Sequence, residues 1–422
     1  MAPRKRCTKK SIKQHKVEEF GKEINQTSLI DTVSESLVAN IIARLPIGSI
    51  CAWRCVSKLF LKLISENWFT KLYAEMSPYI TVVINTNFGV HLVELAKGYY
   101  RSYKSVIPIN KAKIIGSYNG LLLILSPCEF LYSNDTCCSR QCFYLCNPIL
   151  GQYVSLPKPS NKNYSFDGQR KEVYGLGFNT KIGNYMILRI STPIEPPHPI
   201  YKKRSEADVL IIGTNTWKRV GYLPYPSNQE SLGVIVKGAF HWLFYNEMKS
   251  FTSLYAFNIV DERNYMITLP PNIGNDKVNM SVGVLNNCLC VFDNSHPAHF
   301  GIWSMKEYGV RESWDLKCIL KASIPAGICK STLHPVAALK DDGIIIKSGS
   351  GNFYFYDQKN MNFTRFEIDD VELLAEFNYL AIHSSNFCPV DLMSTGCVLD
   401  TKAGARCSSH ISRRFRYFVK IS

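Results

Sequence analysis

What the 422-residue chain lacks narrows it first. No apolar run approaches the ~18 residues that a membrane-spanning helix needs. The opening stretch MAPRKRCTKKSIKQHK has no apolar core of the kind a secretory signal carries. A soluble protein of the cytoplasm, the nucleus or both is expected. Catalytic signatures are missing too, since neither a G-x-S-x-G elbow nor an H-E-x-x-H helix occurs. Paired C-x-x-C knuckles are absent as well, although there are 15 cysteines. Cys137, Cys138, Cys142 and Cys146, with Cys128 nearby, are the densest group. Cys142, Tyr144 and Cys146 alternate as residues of a strand do, which suits reduced thiols filling a core better than zinc ligands. No metal and no cofactor is expected, and the chain is read as a non-enzyme.

Acidic residues are scarce beside basic ones, 34 against 49, for a net charge of +15. A basic body would point to nucleic acid. The excess sits mostly at the ends, however. Residues 1–20 carry seven bases against Glu18 and Glu19, and residues 397–422 carry six against Asp400. Each tail therefore holds +5, leaving only +5 for the body between them. A nucleic-acid-associated protein remains the alternative reading, with nucleic acid an unlikely partner of the body. The N-terminal bases could serve nuclear import or be no more than a solvated tail.

Two kinds of pattern are present. From Asp31 onward, Leu37, Val38, Ile41, Ile42 and Leu45 fall on one face of a helix. Ser34 is placed to cap it, and Pro46 should end it near Leu45. A second helix is expected from about Ser49, with Ile50, Trp53 and Val56 three apart, and Phe60, Leu63 and Ile64 continue the apolar pattern. Two or three short helices of this size cannot bury their apolar groups alone. Either they pack against the rest of the chain or a partner covers them.

Beyond Met76 the pattern changes to strands and turns that repeat. FYLCNPILGQYVSLP (143–157), VLIIGTNTWKRVGYLP (209–224) and LYAFNIVDERNYMITLP (254–270) each read as strand, polar turn, strand and a closing Leu-Pro. SYNGLLLIL, VKGAFHWLFY, LNNCLCVFD and LKDDGIIIKSG form a second class, in which a turn dipeptide launches a buried strand. Paired in order, they make units at about 111–157, 172–224, 232–270, 281–320 and 333–368, the spacing of propeller blades. Strands at 79–108 and about 376–394 would supply a further blade from the two ends and close the ring. In GIWSMKEYGVRESWDLKCIL (301–320), Gly309 is expected to make a hairpin turn, with Trp303 and Trp314 anchoring its strands in the core. His241 is expected to be a satisfied core histidine, His296 and His299 to be loop residues, and SGSGN (348–352) to be a hairpin turn rather than a phosphate cradle.

The helical stretch resembles the F-box, the module by which receptors dock onto the Skp-type adaptor of cullin-RING ubiquitin ligases. Leu37, Ile41, Ile42, Arg44, Leu45, Pro46, Ser49, Ile50, Arg54, Val56, Ser57 and Lys58 match the plant pattern. Val33-Ser34, Ser36, Ala52 and Phe60 depart from it while keeping the apolar rhythm. GSYNGLL, CNPILGQYVSLP, GAFHWL and the 301–320 string resemble the plant F-box-associated, kelch-like domain. The resemblance implies a fold of the α+β class: a small three-helix F-box over 31–76, followed by an all-β propeller of about six blades over 77–395. Basic tails at 1–30 and 396–422 would flank them, flexible and poorly ordered. It implies a substrate receptor whose adaptor-binding residues are Leu37, Ile41, Ile42, Leu45, Pro46, Ile50, Arg54, Val56, Ser57 and Phe60. Its partners would be the adaptor, a cullin-RING ligase through it, and a protein target that the sequence does not identify.

Overall fold

A computed structural model describes residues 34–387, apart from 87–88, 97–98, 106, 108–112, 128–140, 160–169, 195–204, 215, 227–232, 247–250, 272, 274–279, 326–332, 339–342, 349–351 and 367–378. Both basic tails lie outside the described residues. Among the described residues four helices come first, rather than three: α1 (Glu35–Ile42), α2 (Ile47–Arg54), α3 (Lys58–Ser65) and α4 (Asn67–Met76). The fourth arises because the apolar rhythm continues past Ile64 into Phe69 and Tyr73, both buried.

The first helix ends at Ile42 and the second begins at Ile47, with Pro46 in extended conformation between them. Proline's fixed φ and missing N–H suit it to stand just before a helix. Ser34 and Ser57 cap α1 and α3, their hydroxyls accepting from the Leu37 and Phe60 amides.

Among the described residues twenty-four strands follow, in six four-stranded antiparallel sheets. The first sheet holds β1 (Ile80–Thr86), β2 (Gly89–Ala96) and β3 (Tyr99–Lys104). The second holds β4 (Lys113–Tyr118), β5 (Leu121–Pro127), β6 (Gln141–Asn147) and β7 (Gln152–Leu156). The third holds β8 (Arg170–Asn179), β9 (Asn184–Pro193), β10 (Glu206–Ile211) and β11 (Trp217–Tyr222). The fourth comprises β12 (Val234–Val236), β13 (Ala239–Asn246), β14 (Phe251–Asn258) and β15 (Asn264–Ile267). The fifth comprises β16 (Met280–Leu285), β17 (Cys288–Asp293), β18 (His299–Met305) and β19 (Trp314–Leu320). The sixth comprises β20 (Leu333–Ala338), β21 (Gly343–Ser348), β22 (Phe353–Asp357) and β23 (Asn362–Arg365). Finally β24 (Tyr379–Ile382) pairs with β1 and completes the first sheet. The six blades and the closure by the two ends agree with the repeats read from the sequence.

The innermost strands β24, β4, β8, β12, β16 and β20 surround the axis. Two-residue turns launch several second strands. Asn119-Gly120, Lys237-Gly238 and Asn286-Asn287 all have positive φ, the hairpin geometry that matches strand twist. Apolar layers fill the gaps between blades. Tryptophans tie neighbours together: the indoles of Trp217, Trp242 and Trp314 each donate, at 3.0 Å, to a carbonyl after the preceding blade's outer strand, on Pro157, Pro224 and Thr268. These acceptors lie on or beside the repeated Leu-Pro. Trp314 is buried and Gly309 has φ +84, as expected, whereas Trp303 is only half-buried against the same layer.

Candidate docking surface and its seat

The helices are seated in the gap between the first two blades. One continuous core joins Ile42, Ile47, Ile50, Phe60, Leu63, Ile64 and Phe69 to Val83 and Leu92 of the first blade and to Ile114, Leu122 and Ile124 of the second. The alternative that such helices pack on their own chain therefore holds for one side of the module, including Ile50 and Leu45, two residues expected to fill a partner's groove.

Glu94 of β2 fixes the seat. It is fully buried, and its Oε1 accepts from the Ile47 amide at 2.9 Å and the Tyr73 hydroxyl at 3.0 Å. Its Oε2 accepts from the Tyr103 hydroxyl at 2.7 Å. Burial pushes the Glu94 carboxyl up, opposed by these donors and by the charge of Arg101. Burial first, and then the Glu94 charge, pushes both tyrosine hydroxyls up. Gly48 completes the fit, because a Cβ there would stand 2.7 Å from the Tyr103 ring.

The ten residues assigned to adaptor binding divide four ways. Leu37, Ile41 and Val56 are exposed at 55%, 58% and 66%. Leu45, Pro46 and Arg54 are half-buried, and the Arg54 guanidinium donates to the Phe387 carbonyl at 2.7 Å. Ile42, Ile50 and Phe60 lie inside the seat, and Ser57 caps α3. The surface open to a partner is thus Leu37, Ile41 and Val56 together with Trp53, Leu59, Leu61 and Trp68, the last four exposed as well. Helical spacing hid those four. Their signal is that Leu59 and Leu61 fall off the inward stripe of Phe60, Leu63 and Ile64, so they are apolar without a core to fill.

Other candidates resolve into structure. His241 is buried, with Nε2 2.7 Å from the Tyr308 hydroxyl, which in turn lies 2.8 Å from that of Tyr265. This links the fourth blade to the KEYG turn of the fifth. The His296 and His299 rings stack at 3.7 Å, but only His296 lies in the loop expected of both, because His299 opens β18. The Ser348 amide donates to the Asn352 carbonyl at 2.9 Å, and residues 349–351 of SGSGN lie outside the described residues. Cys142 and Cys146 lie on β6, while Cys128, Cys137 and Cys138 fall outside the described residues. Among the described residues no three His, Cys, Asp or Glu converge as metal ligands would. In the third blade, Arg170, Arg189 and Arg219 balance Glu172, Glu206 and Asp208. The separations include 2.9 Å for Arg170–Glu206 and 2.8 Å for Arg219–Asp208. Such a charge-balanced network is a packing element. No described helix is long and apolar enough to cross a membrane.

The described residues thus form a six-bladed β-propeller carrying a seated helical module on which several apolar side chains stay exposed. The chain belongs to the F-box associated beta propeller domain family, whose pattern matches residues 110–386. That match starts after the first blade's outer strands. The chain is 24% identical over 362 residues to the F-box protein At3g07870 of Arabidopsis thaliana, covering 78% of this chain and 82% of that one. It is 24% identical over 374 residues to the F-box protein CPR1 of the same plant, covering 80% and 85%. The solved structure of YCF48 from Cyanidioschyzon merolae aligns at 10% identity over 71% of this chain and 88% of its own, with a TM-score of 0.34, too low to bear on function.

Proposed function

We propose that the chain is the substrate-recognition subunit of an SCF-type (Skp–cullin–F-box) ubiquitin ligase. In this reading residues 31–76 are an F-box that docks the Skp-type adaptor, and the propeller is a kelch-like interaction domain that captures a protein for ubiquitination. The chain itself is non-catalytic, because the transfer chemistry belongs to other subunits. It works in the cytoplasm, the nucleus or both.

The observation that carries this reading is that Leu37, Ile41 and Val56 each stay exposed on a module whose inward side is already filled. Apolar side chains exposed together on short helices are a groove-binding pattern. Topology offers a place for the target. Connections of eleven to thirteen residues, such as 157–169, 223–233 and 268–279, leave the end of the ring away from the Asn119-Gly120 type turns. At the opposite end none exceeds eight. Long connections on a rigid frame are where binding residues concentrate.

The experiment is co-purification of the chain with a recombinant Skp-type adaptor across a salt series. Apolar docking should persist as ionic strength rises, and the double variant Leu37→Asp/Val56→Asp should abolish it. No complex with any Skp-type adaptor, together with nucleic-acid binding that collapses steeply with salt, would replace this reading by the nucleic-acid alternative.

A further inference from the structure

The last described residues do two things in succession. β24 closes the ring by pairing with β1, Val82 opposite Ile382 and Asn85 opposite Tyr379. Residues 383–387 then run under the helices. The His383 amide donates to the Thr81 carbonyl at 2.8 Å, and the Ser385 and Thr81 hydroxyls are 3.2 Å apart. Asn386 binds the second blade twice, its carbonyl accepting from Asn147 at 3.0 Å and its side-chain amide donating to the Asn119 carbonyl at 3.2 Å. This passage is so close to the Asn119-Gly120 turn that a Cβ on Gly120 would collide with Asn386 and Ser384.

Phe387 ends inside the helical module. It is fully buried, with its ring edge-on to Phe69 at 5.9 Å and to Tyr73 at 5.1 Å. Its amide donates to the Thr70 hydroxyl at 3.3 Å, and its carbonyl accepts from Arg54 at 2.7 Å. One residue thus binds α2 and α4 together, and it follows closely on the paired β24. Tyr73, the ring that Phe387 touches, is also a donor to Glu94.

We propose that residues 383–387 are a strap that makes the seating of the helical module conditional on closure of the propeller. The four described helices precede every blade in the chain, yet Phe387, the aromatic side chain that completes their core, comes after the strand that closes the ring. A chain whose ring has not closed would carry its docking face on loosely held helices. The strap is a conformational device irrespective of the partner, and its weight for ubiquitination rests on the adaptor reading above.

Hydrogen exchange on the full-length chain separates the two. In Phe387→Ala, amides of α2 and α4 should exchange about tenfold faster or more, while those of the third to fifth blades keep wild-type protection. Ala381→Pro, which breaks closure at the Val83 pair without touching the helices, should loosen the same helices together with the first blade. If Phe387→Ala does not fold, Phe387→Leu, which keeps the volume and loses the edge-on rings, should show the same pattern. Helices with wild-type protection in these variants overturn the strap. So does equal loss across all blades, which would mean that no separate seating step exists. Ile41→Asp should keep wild-type exchange and lose the adaptor. If the wild-type chain binds no adaptor, the ligase reading fails while the exchange result still decides the strap.

Discussion

The Tyr103 hydroxyl lies 2.7 Å from Glu94 Oε2, inside the core that the helices share with the first blade. Both residues belong to the propeller, but the other Glu94 oxygen accepts from Ile47 and Tyr73 of the helical module. Glu94→Ala would leave three buried donors without their acceptor. A loss of ~3–5 kcal/mol is expected, the range for breaking a buried polar cluster from one side. Glu94→Gln should cost less, because its carbonyl oxygen still accepts. Urea denaturation of the three proteins checks this, and equal midpoints would mean the donors find water.

Much of the fold is legible in the residues themselves, because blades repeat a local event. The Leu-Pro closures at 156–157, 223–224 and 269–270 and the dipeptides Asn119-Gly120 and Asn286-Asn287 each mark a turn that a few residues determine. Pro46 marks a helix boundary for the same reason. The seat is not legible. Arg54 and Phe387 are 333 residues apart, and no short-range pattern tells a buried phenylalanine which helix it will meet. Glu94 inside the strand VHLVELA looks like an error in an apolar run until its three donors are known. Ile42 and Ile50 match the F-box pattern as well as Ile41 does, yet they face inward. A periodicity shows that a helix has an apolar face, but not which apolar residues are left over after its own chain has covered some of them.

The tryptophan ties give a second prediction. Trp314 is buried and its indole donates to Thr268 beside the preceding blade's outer strand, whereas Trp303 is only half-buried. Trp314→Ala should cost ~3–5 kcal/mol, as truncation of a large core ring does. Trp314→Phe keeps most of the ring and loses the donor, for about 1 kcal/mol. Trp303→Ala should fall below Trp314→Ala, at ~1–2 kcal/mol. Thermal melts of the three variants rank them, and Trp303→Ala as the worst would contradict the burial.

Two buried histidines set a pH dependence. Burial lowers His383 from 6.5 to about 3 and His241 from 6.5 to about 4. Both ring nitrogens of His383 are without a hydrogen-bond partner among the described residues. As pH falls below the ordinary histidine value, the unfolded chain takes up protons that the folded chain refuses, so stability must fall with pH. The contribution is whole above 6.5 and is lost progressively towards about 4 for His241 and about 3 for His383. Urea midpoints taken from about pH 7 down to about pH 4 should decline, and His383→Leu should make the decline shallower. A variant that declines as steeply as the wild type would show that His383 does not contribute.

The helical face gives the prediction that tests docking most directly, through two substitutions four residues apart. Ile41 is exposed at 58% on the outer side of α1, while Leu45 is half-buried and packs against the core that holds the helices on the propeller. An aspartate at 41 meets water in the free chain, so its melting temperature should stay near the wild type. If an apolar groove of the adaptor covers that face, the same aspartate must be desolvated on binding, and affinity should fall by several kcal/mol. An aspartate at 45 enters the seat itself and should lower both stability and binding. Each protein needs one pull-down with recombinant adaptor and one thermal melt. Binding lost without a change in melting at position 41, beside loss of both at position 45, places the docking face on the open side of α1. Adaptor binding that survives Ile41→Asp would move the docking face elsewhere on the module, towards Leu61 and Trp68, and would leave the α1 surface without an assigned partner.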